Sequence, residues 1–126
     1  MNESTQAKFY DALNRYNRGE YLDCQELLEE VYRESDASEQ PLVRAIAMLA
    51  SAMHLHFKRG GGRGVLNLLR LCLVTLDDYR PCHLGVAVDE LHEAVEAYLQ
   101  DLQDRRKPGA GFFDRWLAPR IRCKTP

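Results

Sequence analysis

The sequence predicts an all-α fold, a compact bundle of about five helices, and three observations support this class. Apolar side chains recur at intervals of three and four residues along most of the chain, which is the period of an amphipathic helix. Turns that contain glycine or proline separate these periodic segments. No segment shows the strict alternation of apolar and polar residues that a half-buried strand requires.

The first two predicted helices form a hairpin that turns at Gly19. Apolar residues spaced four and three apart predict the first helix over 9–17, with Ser4 or Thr5 as its N-cap. A second apolar stripe predicts the next helix over 20–33. The apolar residues of these two helices are Phe9, Leu13 and Tyr16, then Tyr21, Cys24, Leu28 and Val31.

The third predicted helix, over 41–58, is the centre of the bundle. Pro41 suits its first turn, because that position needs no backbone donor. Between Leu42 and Phe57 the only formal charge is Arg44, and the remaining side chains are apolar or small nearly all round the helix. A helix of this kind is typically surrounded by its neighbours. We therefore expect it to be the most buried helix of the protein.

Two more helices and a short C-terminal aromatic segment complete the prediction. A glycine-rich turn at 60–64 precedes a leucine-rich helix over 65–77, and a loop at 80–85 precedes a helix over 86–104. The fifth helix has an apolar seam with spacings of three and four, as in a helix bundle. The residues of this seam are Val88, Leu91, Val95, Tyr98 and Leu102.

The distribution of charge divides the chain into a body and a tail. Residues 1–104 carry 10 Lys and Arg against 18 Asp and Glu, whereas residues 105–126 carry 7 basic residues and one acidic residue. We predict a helical domain over 1–108 and a basic aromatic tail over 109–126 that packs on the body or on a partner. The tail residues expected to make this contact are Phe112, Phe113, Arg115, Trp116 and Arg120.

Length and composition exclude several classes of protein. A chain of 126 residues, of which 45% are hydrophobic and 29% charged, is typical of one soluble globular domain. The longest uncharged stretch, 45–57, is too short to cross a bilayer, and the N-terminus does not resemble a signal peptide. We therefore expect a cytoplasmic protein without a transmembrane segment. The four cysteines include no Cys-x-x-Cys pair, so we expect reduced thiols and no zinc finger.

One set of residues has the spacing of a metal site. Glu26, Glu29 and Glu30 share a face of the second predicted helix, and His54 or His56 from the third helix would complete a site with an open position for water. The two histidines lie about 200° apart around a helix, so both cannot face one site. Solvated glutamates and a core histidine are the more common outcome of such a pattern. We predict no metal and no other cofactor.

The segment around the first turn resembles domain-of-unknown-function family 309. The family motif places an asparagine, a glycine and an aromatic residue before two glutamates, and these are Asn17, Gly19, Tyr21, Glu26 and Glu29 here. An alanine-rich helix with histidine, a glycine turn and a leucine-rich helix follow, so the resemblance extends from residue 9 to about residue 77. The resemblance implies a small all-helical bundle of a type found widely in bacteria, and it implies no particular activity.

The chain departs from the family pattern at positions that matter for chemistry. Cys24 and Gln25 stand where the family has alanine and histidine, and Tyr32 stands where it has tryptophan. The later histidine of the family is matched by His54 or His56. Since glutamine is a poor metal ligand, a function that needs the first family histidine is disfavoured.

These features predict a non-catalytic helical interaction protein that self-associates or binds a protein partner through its basic aromatic tail or its hairpin groove. Nucleic acid and anionic membranes are also candidate partners, because a basic segment attracts negatively charged surfaces. The alternative is a metal-binding protein or a metal-dependent hydrolase that uses Glu26, Glu29 and Glu30 with His54 or His56.

Overall fold

The computed structural model describes residues 1–60, 62–104 and 118–123. Within these ranges the chain forms five helices, which are α1 (Glu3–Asn17), α2 (Tyr21–Glu34), α3 (Gln40–Arg59), α4 (Arg63–Asp77) and α5 (Val88–Asp104). Two isolated β-bridges are the only strand-like pairings in the described ranges. The predicted all-α class is confirmed, and every predicted helix is present.

The largest difference in helix boundaries is at the start of α1. Asn2 is the N-cap instead of Ser4 or Thr5, because its Oδ1 accepts a hydrogen bond from the Thr5 N–H at 2.8 Å. The Thr5 side chain is buried and donates to Glu34 Oε2 at 2.8 Å. Lys8 Nζ donates to Glu34 Oε1 at 2.8 Å, and this hydrogen bond is the main cause that lowers the pKa of Glu34. The beginning of α1 is therefore fastened to the end of α2.

The turn between α1 and α2 requires a left-handed residue. Gly19 has φ of +82°, a conformation that glycine adopts without strain. The Gly19 N–H donates to the Tyr16 carbonyl and the Glu20 N–H donates to the Arg15 carbonyl, both at 2.9 Å. These two bonds form a Schellman motif, which satisfies the last carbonyls of α1. Because α2 begins at Tyr21, the two helices form the tight hairpin that the sequence predicts.

The central position of α3 agrees with the prediction. The extensive helix contacts follow the order of the chain, so α3 packs on α2 on one side and on α4 on the other. Nine residues of α3 are buried, compared with three to six in each of the other helices. They are Leu42, Val43, Ala45, Ile46, Leu49, Ala50, Ala52, Met53 and His56. The small alanines let neighbouring helices approach closely, and the larger side chains fill the space between them.

One core cluster includes residues from all five helices, and it also includes Val86 and Ile121. Val86 pairs with His83 and with Cys123 in the two isolated bridges. Since this residue is extended, α5 begins at Val88 and not at residue 86 as predicted. None of the five described helices combines the length and apolarity that a membrane crossing requires.

A charge placed at the centre of α3 tests its position in the core. Ala50 is fully buried, so Ala50→Asp places a carboxylate among apolar side chains. We expect the free energy of unfolding to fall by roughly 3 kcal/mol or more. Denaturant titration followed by circular dichroism measures this change. The control is Ala7→Asp on the exposed side of α1, and equal effects of the two substitutions would contradict the central place of α3.

Candidate functional site

The last described residues, 118–123, form an extended segment that we call the C-terminal strip. Asn17 holds this strip by its backbone, because its Nδ2 donates to the Ile121 carbonyl at 2.7 Å and its Oδ1 accepts from the Ile121 N–H at 2.9 Å. On the loop before α5, the Ala87 N–H donates to the Arg122 carbonyl at 2.8 Å. The amide of Asn17 thus makes the two hydrogen bonds to the Ile121 backbone that a neighbouring β-strand would make.

Apolar burial also anchors the C-terminal strip. The Ile121 side chain is 3% exposed and belongs to the core, and Pro119 is buried as well. Arg120 and Arg122 are exposed, and Arg120 Nη1 donates to the Asn17 carbonyl at 3.4 Å. The other predicted contact residues of the tail lie outside the described residues. These are Phe112, Phe113, Arg115 and Trp116.

Two cavities share the C-terminal strip as a wall. The larger one, of about 630 Å³, is lined by strip residues and by α5, including the carboxylates of Glu90 and Asp101. The smaller one, of about 280 Å³, lies between the strip and the turn that follows α1, and its lining includes Gly19 and Tyr21. Arg120 lines both cavities.

Tyr16 lies beside the smaller cavity and is a buried phenol. It is 1% exposed, and its hydroxyl has no hydrogen-bond partner among the described residues. Desolvation is the main cause that raises the pKa of Tyr16 well above its usual range. The phenol is therefore neutral at physiological pH and acts as a large core side chain.

The structure does not assemble the predicted glutamate and histidine cluster. Glu26, Glu29 and Glu30 are exposed on α2, whereas His56 is buried in α3 and His54 is half-buried. In the described part of the chain, no group of three His, Cys, Asp or Glu side chains is placed to hold a metal ion. The described residues therefore do not assemble the metal site that the alternative hypothesis requires.

The reason is the direction in which each helix presents its apolar side. The stripe of α2 is buried, and its members are Cys24, Leu28 and Val31. The glutamates lie on the exposed side of α2, where Glu30 Oε2 is 3.6 Å from Lys8 Nζ of α1. Glu29 borders a groove between α2 and α3 whose described lining contains neither histidine. The two histidines diverge, as their spacing requires, and the His56 ring packs edge-on against Phe57 and Tyr98 at centroid distances of 5.0 and 5.9 Å.

A network of charged side chains joins α4 to α5. The spacing of these residues in the sequence does not indicate it. His92 is 9% exposed, and its Nε2 lies 3.2 Å from Asp77 Oδ1. Arg80 Nε donates to Asp89 Oδ1 at 2.6 Å, and Arg80 Nη1 lies 3.4 Å from both Asp77 Oδ1 and His92 Nδ1. Because a guanidinium group can only donate, Nδ1 of His92 is the acceptor from Arg80, and Nε2 is the donor to Asp77. The network fixes the loop between the two helices.

The outer face of α4 is an exposed apolar surface. Leu71 and Val74 lie three residues apart and are 55% and 69% exposed. Asn67 and Asp78 are exposed and continue this face by four residues at either end, so the outer face of α4 consists of these four residues. Among the described residues, the other large exposed apolar side chains are Tyr10 and Leu22, on α1 and α2.

The fold and these surfaces define a small all-α helical bundle. The model of the family described as Domain of unknown function (DUF309) matches residues 9–68, which run from α1 to the first turns of α4. The resemblance to family 309 is therefore confirmed, over a segment that ends before the predicted limit of residue 77. No curated protein and no solved structure shows significant similarity to the chain.

The first three motif residues have structural uses in this protein. Asn17 holds the C-terminal strip, and Gly19 provides the left-handed turn. The ring of Tyr21 packs against Tyr16 and Phe57 at centroid distances of 5.3 and 6.1 Å. Asn17, Gly19 and Tyr21 thus connect the helical hairpin to α3 and to the C-terminal strip.

Removal of the Asn17 amide tests how the strip is held. Asn17→Ala deletes two hydrogen bonds to Ile121 and leaves partly buried backbone groups without these partners. We expect a loss of about 1–3 kcal/mol in the free energy of unfolding and faster hydrogen exchange at the Ile121 amide. The matched control is Asn14→Ala, on the exposed side of the same helix. Unchanged exchange at Ile121 would show that Asn17 does not hold the strip.

The four cysteines are free, and we expect them to differ in reactivity. Burial raises the pKa of Cys24 and of Cys72 to about 12, whereas Cys82 and Cys123 are exposed. At mildly alkaline pH the two buried thiols stay protonated, so a maleimide should modify Cys82 and Cys123 and should reach the others only after unfolding. Peptide mass spectrometry measures the sites. Rapid modification of Cys24 or Cys72 in the folded protein would contradict their burial.

Proposed function

We propose that this protein is a non-catalytic helical interaction protein that self-associates through the outer face of α4. The observation that supports this proposal is the exposure of Leu71 and Val74 side by side on one helix. Large apolar side chains gain roughly 25 cal/mol for each Å² that they remove from water. A second copy of the chain offers the same apolar surface, so it can cover this face.

The outer face of α4 is complementary to itself. When two α4 helices pack antiparallel around a two-fold axis, each residue meets the residue that lies equally far from the centre of the face. Leu71 then faces Val74 of the second copy, and in the same register Asn67 faces Asp78 of the second copy. The apolar side chains thus meet at the centre, and an amide meets a carboxylate at each end.

The flank of this face adds matching charges. Arg70 and Asp77 are exposed, and because they lie seven residues apart they share one side of α4. Antiparallel packing brings this side of each helix towards the same side of its partner. In this register Arg70 of each copy is offset from Asp77 of the other copy by two residues, about 3 Å along the helix axis. Opposite charges at these positions favour this orientation over a parallel one.

The expected association is weak. A contact between single helices buries less than the roughly 1,600 Å² of a standard protein interface. We therefore expect a dimer whose population depends on protein concentration.

The tail provides a separate proposal, which keeps protein partners, nucleic acid and anionic membranes as candidates. The support is the high density of basic residues after residue 104. Binding through this segment would be electrostatic, so it should weaken steeply as salt is added.

Sedimentation velocity over a wide range of protein concentration tests the α4 dimer. We expect the wild-type chain to associate and the double variant Leu71→Glu with Val74→Glu to stay monomeric, because four carboxylates would meet at the centre of the contact. Both side chains are exposed, so the stability of the monomer should change by only about 0.5 kcal/mol for each substitution.

Two further sets of variants control this experiment. Leu22→Glu removes an apolar side chain that is 52% exposed on α2, and it should leave association unchanged. Arg70→Asp should weaken the dimer, whereas Arg70→Lys, which keeps the positive charge, should leave it nearly unchanged. A wild-type chain that remains monomeric at every concentration, or equal effects of the α2 and α4 variants, would overturn the proposal.

A further inference from the structure

We infer that the corner of the protein around Gly19 binds a compact anion that carries a chain of phosphate groups, such as a triphosphate. Two cavities with cationic side chains in their linings support this inference, and Gly19 and Tyr21 line both of them. The inference goes beyond the proposed self-association, and it concerns a surface other than the outer face of α4.

The first of these cavities is the space of about 280 Å³ between the C-terminal strip and the turn that follows α1. We call it the turn cavity. Its charged lining residues are Arg18 and Arg120, and its described lining contains no carboxylate. A guanidinium group has paired N–H donors that match two oxygens of one phosphate group, so the turn cavity suits a phosphate.

Arg120 is the better placed of the two arginines. Its side chain has no ion-pair partner among the described residues, whereas Nε of Arg18 donates to Glu20 Oε2 at 2.8 Å. Asn17 holds the backbone of the next residue, Ile121, at both its N–H and its carbonyl. Because the neighbouring backbone is held in advance, Arg120 loses less conformational freedom on binding than a residue of a free segment would.

The second cavity, of about 290 Å³, shares Gly19 and Tyr21 with the turn cavity and adds His54 and Lys58 from α3. We call it the lysine cavity. Its described lining also contains no carboxylate, and Lys58 is exposed with no ion-pair partner among the described residues. A lysine ammonium group is a common partner of phosphate as a point charge. A single phosphate group in the turn cavity leaves Lys58 unused, whereas a chain of phosphate groups can contact both cavities.

The larger cavity beside α5 has a different character, although Arg120 also lines it. Its lining includes Glu90 and Asp101 together with Arg120 and Arg122, so an anion bound there would meet carboxylates. Like charges at contact distance repel each other. We therefore expect the anion in the turn cavity and the lysine cavity.

The surrounding charge favours a compact anion over a nucleic acid. Residues 1–104 carry 18 Asp and Glu against 10 Lys and Arg, and Glu20 and Asp23 lie at the start of α2 on either side of Tyr21. A long polyanion that crosses this region would approach several carboxylates, which costs electrostatic free energy. A short chain of phosphate groups is small enough to stay within the two cavities.

Isothermal titration calorimetry of the full-length chain with inorganic triphosphate and with orthophosphate, in the absence of divalent cations, tests this inference. We expect triphosphate to bind more tightly than orthophosphate, because it reaches both cavities. Arg120→Gln and Lys58→Gln should each weaken triphosphate binding about tenfold, whereas only Arg120→Gln should weaken orthophosphate binding. Both side chains are exposed, so the two variants should fold as the wild-type chain does.

Two further substitutions control for net charge. Arg33→Gln removes one positive charge from the exposed surface of α2, and because Arg33 lines neither cavity, binding should be unchanged. Arg120→Lys keeps the charge but removes the paired donors, so it should weaken binding less than Arg120→Gln does. Absence of triphosphate binding, equal losses in Arg33→Gln and Arg120→Gln, or binding of a short single-stranded oligonucleotide but not of triphosphate would overturn the inference.

Discussion

Burial of α3 determines how the other helices are arranged. Nine of its residues are buried, so α2 and α4 must cover it on two sides, and α1 and α5 in turn cover parts of those helices. Among the five described helices, packing in chain order leaves outer faces without a neighbouring helix. On α2 that face carries glutamates, which water solvates well, whereas on α4 it carries Leu71 and Val74. A second copy that covers the outer face of α4 would account for the exposed apolar side chains on it.

The turn at Gly19 connects this series of helices to the end of the chain. Gly19 lets α1 stop in a Schellman motif, which leaves the side chain of Asn17 free to hold the C-terminal strip. Ile121 then enters the core beside residues from the helices. The motif shared with family 309 therefore stabilises a corner of the bundle, and this explains how the motif is useful in a chain that lacks the first family histidine at Gln25.

The sequence was sufficient to predict features that depend on local periodicity, and insufficient for contacts between distant residues. All five helices follow from apolar spacing. The predicted start of α1 differs from the observed one, because Asn2 is its N-cap and the Thr5 hydroxyl instead donates to Glu34 of α2. Asn17 and Ile121 are 104 residues apart, so their spacing carries no signal. The sequence correctly predicts that Glu26, Glu29 and Glu30 share one face of α2. It cannot predict what that face contacts, because the packing of the neighbouring helices determines those contacts.

Methyl NMR spectra recorded at increasing dilution test whether the outer face of α4 is an interface. We expect the methyl signals of Leu71 and Val74 to move with protein concentration, while those of Leu22, which is similarly exposed on α2, stay in place. Signals of Leu71 and Val74 that do not move over the whole range, or that move no more than those of Leu22, would contradict it.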